Sequence, residues 1–252
     1  MELAGATVLV TGGSRGIGRA VAQAFAGRGA HVAIQYRADE AAAADTLASL
    51  PAGRHLLARA DISDPAAVRT LVDRVVDDLD GIDVLVNNAG VYERHPVLDT
   101  TADEWQDSWR RTIDTNLIGP ANLIHAVVPH MVAAGGGRIV NVSSRGAFRG
   151  EPDHAAYGAS KAGLNSLGQS LAQALAPAGI YVTTVAPGFV DTDMAAPYLH
   201  GPDGDAVRAQ SPLGRAATPE EIAAVVVFLA TPGAESTTGT IVDVNGASYL
   251  RT

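Results

Sequence analysis

ATVLVTGGSRGIG, residues 6–18, sets a short β-branched run against a glycine turn, and a helical pattern follows at once as far as Gly27. A strand that hands over to a helix through glycines at 12, 16 and 18 is how a βαβ unit begins. The glycines remove side chains where the backbone must turn tightly and approach a pyrophosphate. The helix N-terminus then presents free N–H groups and the positive end of its dipole. The spacing is Gly-x-x-x-Gly-x-Gly, so the G-x-G-x-x-G dinucleotide fingerprint is not strictly matched, and a plain glycine-rich turn is the competing reading.

Outward from this stretch, strand candidates recur at 6–10, 31–36, 55–60, 82–87, 138–142, 181–186 and 240–244, separated by longer alanine-rich segments. This alternation predicts an α/β, Rossmann-like doubly wound fold: a mostly parallel seven-stranded sheet, apolar on both faces and covered by helices on both. Helix starts are marked at Asp64-Pro65, at Thr101 with Glu104, and at Thr218-Pro219 with Glu221. The 252 residues, 47% hydrophobic, are read as one domain over 1–252, with a substrate loop at 191–217 rich in proline and glycine.

In dinucleotide folds a carboxylate about 20 residues after the glycine turn holds the ribose 2′-hydroxyl of NAD, whereas arginine suits the 2′-phosphate of NADP. Here the second strand ends Gln35-Tyr36-Arg37. Arg37 and Arg15 offer fork-shaped donors to a phosphate dianion, so NADP(H) is preferred. Asp39 and Glu40 close behind leave NAD(H) open.

Tyr157 and Lys161 stand at i and i+4 in HAAYGASKAGLNSLGQSLAQAL, a helical pattern that projects both from one face. A phenol ordinarily ionises near pH 10, and a neighbouring ammonium favours the phenolate. Tyr157 is thus the expected proton donor and acceptor for a carbonyl or alcohol, tuned by Lys161. Ser144 ends the strand RIVNVSS at the sheet edge where open α/β folds place ligands. A lone Tyr-x-x-x-Lys is more often an ordinary surface pair, and the combination carries the inference.

Taken together, TGGSRGIG, NNAG (87–90), NVSS (141–144), YGASK (157–161) and Pro187-Gly188 resemble, in order and spacing across essentially the whole chain, the short-chain dehydrogenase/reductase family. The members it resembles are 3-oxoacyl-reductase-like and glucose-dehydrogenase-like. The resemblance implies nicotinamide-dependent redox chemistry with Asn116, Ser144, Tyr157 and Lys161 as catalytic residues, Asn116 helping to hold a water between Lys161 and solvent. It selects Ser144 over Ser143 by distance to Tyr157. It further implies cofactor contacts from Gly12, Ser14, Arg15, Gly16, Ile17, Gly18, Tyr36, Arg37, Asp61, Ile62, Asn88, Ala89 and Gly90. Tyr157, Lys161, Pro187, Gly188, Val190 and Thr192 complete that set. Where many members read Val-Asp-Gly-Gly, this chain has Val244-Asn245-Gly246-Ala247.

Substrate recognition is expected from Tyr92, Arg94, His95, residues 148–154 and the 191–217 loop. Arg145, Arg149, Glu151, Asp153 and His154 suit a polar substrate or are solvated loop residues. Family members that reduce carrier-bound acyl groups dock an acidic protein on basic residues, but 129–137 and 172–179 contain no Lys or Arg, so a small free carbonyl or alcohol substrate is expected. A net charge of −9 disfavours nucleic acid. The apolar run 225–230 is too short for a membrane span, there is no signal-peptide pattern, and cysteine is absent, so no thiolate metal site is possible. The expectation is a cytoplasmic homo-oligomer, a dimer or tetramer, without a metal. An alternative from another class is a regulatory protein that binds the cofactor and catalyses nothing.

Overall fold

The computed structural model describes residues 3–251; Met1, Glu2 and Thr252, which fall within the expected domain span, lie outside the described residues. The chain opens with β1 (Thr7–Val10), α1 (Gly16–Ala26), β2 (His31–Tyr36), α2 (Glu40–Ala48), β3 (His55–Arg59), α3 (Pro65–Leu79) and β4 (Val84–Asn87). It continues through α4 (Ala102–Ile113), α5 (Gly119–Ala133), β5 (Gly137–Val142), α6 (Gly146–Arg149), α7 (Ala155–Leu175) and β6 (Ile180–Pro187). The last elements are α8 (Ala196–Leu199), α9 (Gly204–Arg208), α10 (Pro219–Leu229) and β7 (Ile241–Val244).

The seven strands lie in the order β3-β2-β1-β4-β5-β6-β7, and every pair is parallel rather than most of them. The order reverses between β1 and β4, and a ligand crevice opens beyond strand C-termini at such a switch point. Strand alternation divides the core. Val8, Val10, Ile34 and Val86 pack with Phe25 of α1 and Val226 of α10 on one face. Leu9, Ala33, Leu85 and Ile139 pack with Val72 of α3 and Leu123 of α5 on the other. Each valine, leucine, isoleucine or phenylalanine among them contributes about 1.5–3 kcal/mol on removal from water.

The helix starts read from sequence are real caps. The Asp64 carboxylate accepts from Ala66 N–H, and Thr101 and Thr218 form reciprocal boxes with Glu104 and Glu221. Each contributes about 1 kcal/mol. Strand ends differ by one or two residues; β4 begins at Val84, and just before it the Asp83 carboxylate accepts from Thr7 N–H at 2.8 Å. The 191–217 loop is not structureless: it carries α8 and α9, and a Val190–Ala217 bridge ties its two ends together. Among the described residues no helix is long and apolar enough to cross a membrane, and no group of His, Cys, Asp and Glu is placed to hold a metal.

Candidate active site

Every residue expected from sequence to be catalytic or to contact a cofactor, except Gly18 and Asn116, lines one cleft of about 570 Å³ at the C-terminal edge of the sheet. Its floor is the glycine turn. Gly12 and Gly16 have φ of +62° and +53°, left-handed values that strain other residues. A Cβ on Gly18 would lie 2.1 Å from the Gly12 carbonyl oxygen, so Gly18 serves the turn from behind. Arg15 stands at the N-cap of α1 without a side-chain cap, which leaves the first N–H groups of that helix for a ligand. The open glycine cradle and uncapped helix therefore fit a pyrophosphate.

At the end of the cleft beyond β2 and β3, Arg37 is exposed and Asp61 half-buried on the rim. Burial works to raise the Asp61 pKa, but hydrogen bonds from Ser63 and the nearby Arg37 guanidinium outweigh it and hold the carboxyl below its usual range. Arg15 is 63% exposed and lies 3.9 Å from Asp193, a loose surface contact that leaves its donors free.

At the other end, α7 presents Tyr157 and Lys161 to the cleft together, as the i, i+4 spacing requires. Ser144 also lines it and accepts a hydrogen bond from Gly146 N–H at 3.0 Å. Ser143 instead donates to the Lys161 carbonyl at 3.3 Å, pinning α7 to β5. The electrostatics differ from the sequence expectation in one respect. Burial pushes the Tyr157 hydroxyl up to about 12, with the neighbouring Ser144 hydroxyl pulling the other way. Burial also pulls Lys161 down to about 8, and its Nζ donates to the Val142 carbonyl at 2.8 Å. Desolvation therefore sets the direction for both groups.

Asn116 is fully buried in a π-helical turn, Asp114–Ile118, between α4 and α5. Its Oδ1 accepts from Val91 N–H at 2.8 Å and its Nδ2 donates to the Val91 carbonyl at 3.0 Å and to Ser160 Oγ at 3.2 Å. It holds the chain after β4 in place behind the cleft. Such π turns recur at functional sites.

The open end is aromatic. Tyr92 stacks on His154 at 3.8 Å between ring centroids and meets Tyr157 and Tyr198 edge-on at 4.6 and 5.6 Å. His154 shares a 2.8 Å hydrogen bond with the Tyr198 hydroxyl, and burial pulls its pKa down to about 4. One expectation is corrected here, and one of two open readings is excluded. His95 does not face the substrate: it is buried, and its Nε2 accepts from Ala156 N–H at 3.0 Å, satisfying a donor at the start of α7. Arg145 and His154 are not solvated loop residues; each is 4% exposed. Arg94 and Asp153 do pair at the surface, at 3.2 Å.

Residues that local patterning passes over brace the cradle. Gln35 accepts from Gly12 N–H at 2.9 Å and donates to the Ala60 carbonyl at 2.7 Å, joining three strand ends. Thr11 Oγ accepts from Asn88 and Ala89 N–H at 2.9 and 3.0 Å. The one local sign was an amide in an otherwise apolar strand.

The sequence profile of the family described as Enoyl-(Acyl carrier protein) reductase matches residues 12–247. The chain is 38% identical over 252 residues to 3-oxoacyl-(acyl-carrier-protein) reductase of Vibrio cholerae, covering 99% of this chain and 100% of that protein. It is similar to the crystal structure of a short chain dehydrogenase from Burkholderia cenocepacia in complex with NADP, with a TM-score of 0.89, 37% identity and 98% and 99% of the two chains covered. It is also similar to that of a dehydrogenase/reductase from Sinorhizobium meliloti, with a TM-score of 0.90, 33% identity and 99% and 98% covered. With the parallel seven-stranded sheet and the cleft just described, these matches place the chain in the short-chain dehydrogenase/reductase family, as a nicotinamide-dependent oxidoreductase.

Proposed function

We propose that the chain is an NADP(H)-dependent oxidoreductase that interconverts a ketone and a secondary alcohol of a small molecule, with Tyr157 as general acid and base. The observation that carries this is one cleft with a glycine cradle at one end and Ser144, Tyr157 and Lys161 together at the other. The NADP bound to the Burkholderia relative and the exposed Arg37 and Arg15 on this cleft support the phosphorylated cofactor, with NAD(H) a weaker fit.

A nicotinamide dinucleotide, when bound, supplies or accepts the hydride. The residues of the chain handle the oxygen and its proton. A Tyr157 hydroxyl pushed up to about 12 keeps its proton at neutral pH and has it to give as a carbonyl becomes an alkoxide. The Ser144 hydroxyl, which lines the same cleft, holds the same oxygen. Lys161, with a pKa near 8, is largely an ammonium at neutral pH and stabilises the phenolate that remains. Asn116 acts as a positioning residue through Val91 and Ser160.

The same reading carries one domain over 1–252 and a homo-oligomer built through the helices around Asn116 and Tyr157, where Ile118 is 42% exposed. The relatives' names point to 3-oxoacyl groups on a carrier protein, while the absence of Lys and Arg from 129–137 and 172–179 favours a small free substrate. A panel of ketones and secondary alcohols, followed at the reduced-nicotinamide absorbance with NADPH and NADH compared, tests the proposal. Turnover of none, with cofactor bound normally, would leave the regulatory reading.

A further inference from the structure

Arg145 follows Ser144 directly and is 4% exposed, yet among the described residues it has no acid within salt-bridge distance. Its Nη2 donates to Gln210 Oε1 at 2.6 Å, and its Nη1 is buried with no hydrogen-bond partner. Arg149 Nη1 donates to the same Gln210 oxygen at 3.1 Å. Two guanidinium groups thus converge on one neutral amide oxygen. Nearby arginines are treated differently: Arg94 is paired with Asp153 at 3.2 Å, Arg208 with Asp205 at 2.5 Å and Arg215 with Glu221 at 2.7 Å. Among the described residues no carboxylate reaches 4.0 Å of Arg145 or Arg149. The acid that acts on both is Glu151, at longer range, and its hydrogen bond at 3.4 Å is from the Tyr92 hydroxyl. Even with Glu151 ionised, the corner holds one positive charge in excess.

A buried cation without a counter-ion is costly, and a guanidinium kept only for packing is normally paired. Arg145 lines the cleft that contains Tyr157 and also a second cavity of about 280 Å³ behind Phe189. Its guanidinium lies 4.9 Å from the Phe189 ring centroid, which fixes its plane. Gln210 is exposed on the 191–217 loop, where its amide can give way to a better acceptor.

The geometry points to Arg145, assisted by Arg149, as a specificity residue that binds a carboxylate on the substrate, so that the substrate class is an oxo acid or the corresponding hydroxy acid. The planar fork of arginine matches the two oxygens of a carboxylate, and one negative charge balances the excess. This inference rests on the reductase reading above.

The experiment compares 2-, 3- and 4-oxo acids with their methyl esters, using NADPH, in the full-length protein and in Arg145→Met and Arg145→Lys. The wild type should favour at least one acid over its ester by about 10- to 100-fold in kcat/KM. Arg145→Met should bring that ratio to about one while turnover of the ester is kept, and Arg145→Lys should restore part of it. An acid-to-ester ratio near one in the wild type, or one unchanged in Arg145→Met, overturns the inference and leaves the reductase reading intact. A second arm titrates the oxo acids calorimetrically into the NADP-loaded protein. If nothing is reduced but an oxo acid binds the wild type and not Arg145→Met, the anion corner stands and the reductase reading falls; no binding of any oxo acid overturns the corner. Thermal unfolding distinguishes a purely structural arginine. Removing an unpaired buried charge should leave the melting temperature of Arg145→Met equal to or above that of the wild type, and a large drop would overturn the assignment.

Discussion

The Lys161 ammonium lies 5.7 Å from the centroid of the Tyr157 ring, over its face, while its Nζ donates a 2.8 Å hydrogen bond to the carbonyl of Val142. The lysine is therefore close enough to stabilise a phenolate but anchored to the strand. With burial acting on both groups, the phenol stays protonated and the ammonium is weakened.

Replacing Tyr157 by Phe keeps the ring packed against Tyr92 and removes only the hydroxyl. Turnover should fall by roughly 10²- to 10⁴-fold, the usual contribution of a positioned acid or base, with the NADPH dissociation constant within a few-fold of wild type. Steady-state kinetics with fluorescence titration of NADPH checks both. Tyrosinate absorbance, compared between the wild type and this variant without cofactor, should place the ionisation of Tyr157 well above pH 10.

Arg37→Glu puts a carboxylate where a 2′-phosphate is expected and beside the Asp61 carboxylate. The NADPH-to-NADH ratio of kcat/KM should drop by about 10²-fold or more, because a charge-assisted donor is replaced by repulsion. An unchanged ratio would remove Arg37 from the phosphate site.

Gln35→Leu strands the Gly12 N–H and the Ala60 carbonyl at once. Each buried group left unsatisfied costs about 1–3 kcal/mol. Denaturant unfolding should show a loss of that order, and cofactor affinity should weaken even though Gln35 is an inner brace of the turn.

His154 is held neutral by burial, which opposes protonation more strongly than neighbouring Asp153 favours it, so its pKa falls from 6.5 to about 4. Between those two pH values the unfolded chain binds the extra proton and the folded one does not. Stability from this group is therefore present above about pH 6.5 and is lost as pH falls toward 4. Melting temperature measured against pH should decline over that window, and His154→Gln should flatten the decline.

The alternation of strand and helix, the glycine turn, the three helix caps and the Tyr157–Lys161 pair are legible in the order of residues alone, because each is a short-range relation. Period, cap and i, i+4 geometry act within a turn or two of backbone. Folding in three dimensions settled that His95 caps α7 instead of facing substrate, that Asn116 holds Val91, that Gln35 braces the glycine turn, and that Arg145 is buried with no acid paired to it among the described residues. Those outcomes join positions such as Arg145 and Gln210, 65 residues apart, or His95 and Ala156, 61 apart. The upward push that burial gives the Tyr157 hydroxyl belongs to the same class, since burial depends on every element packed around the cleft and is not written in any one of them.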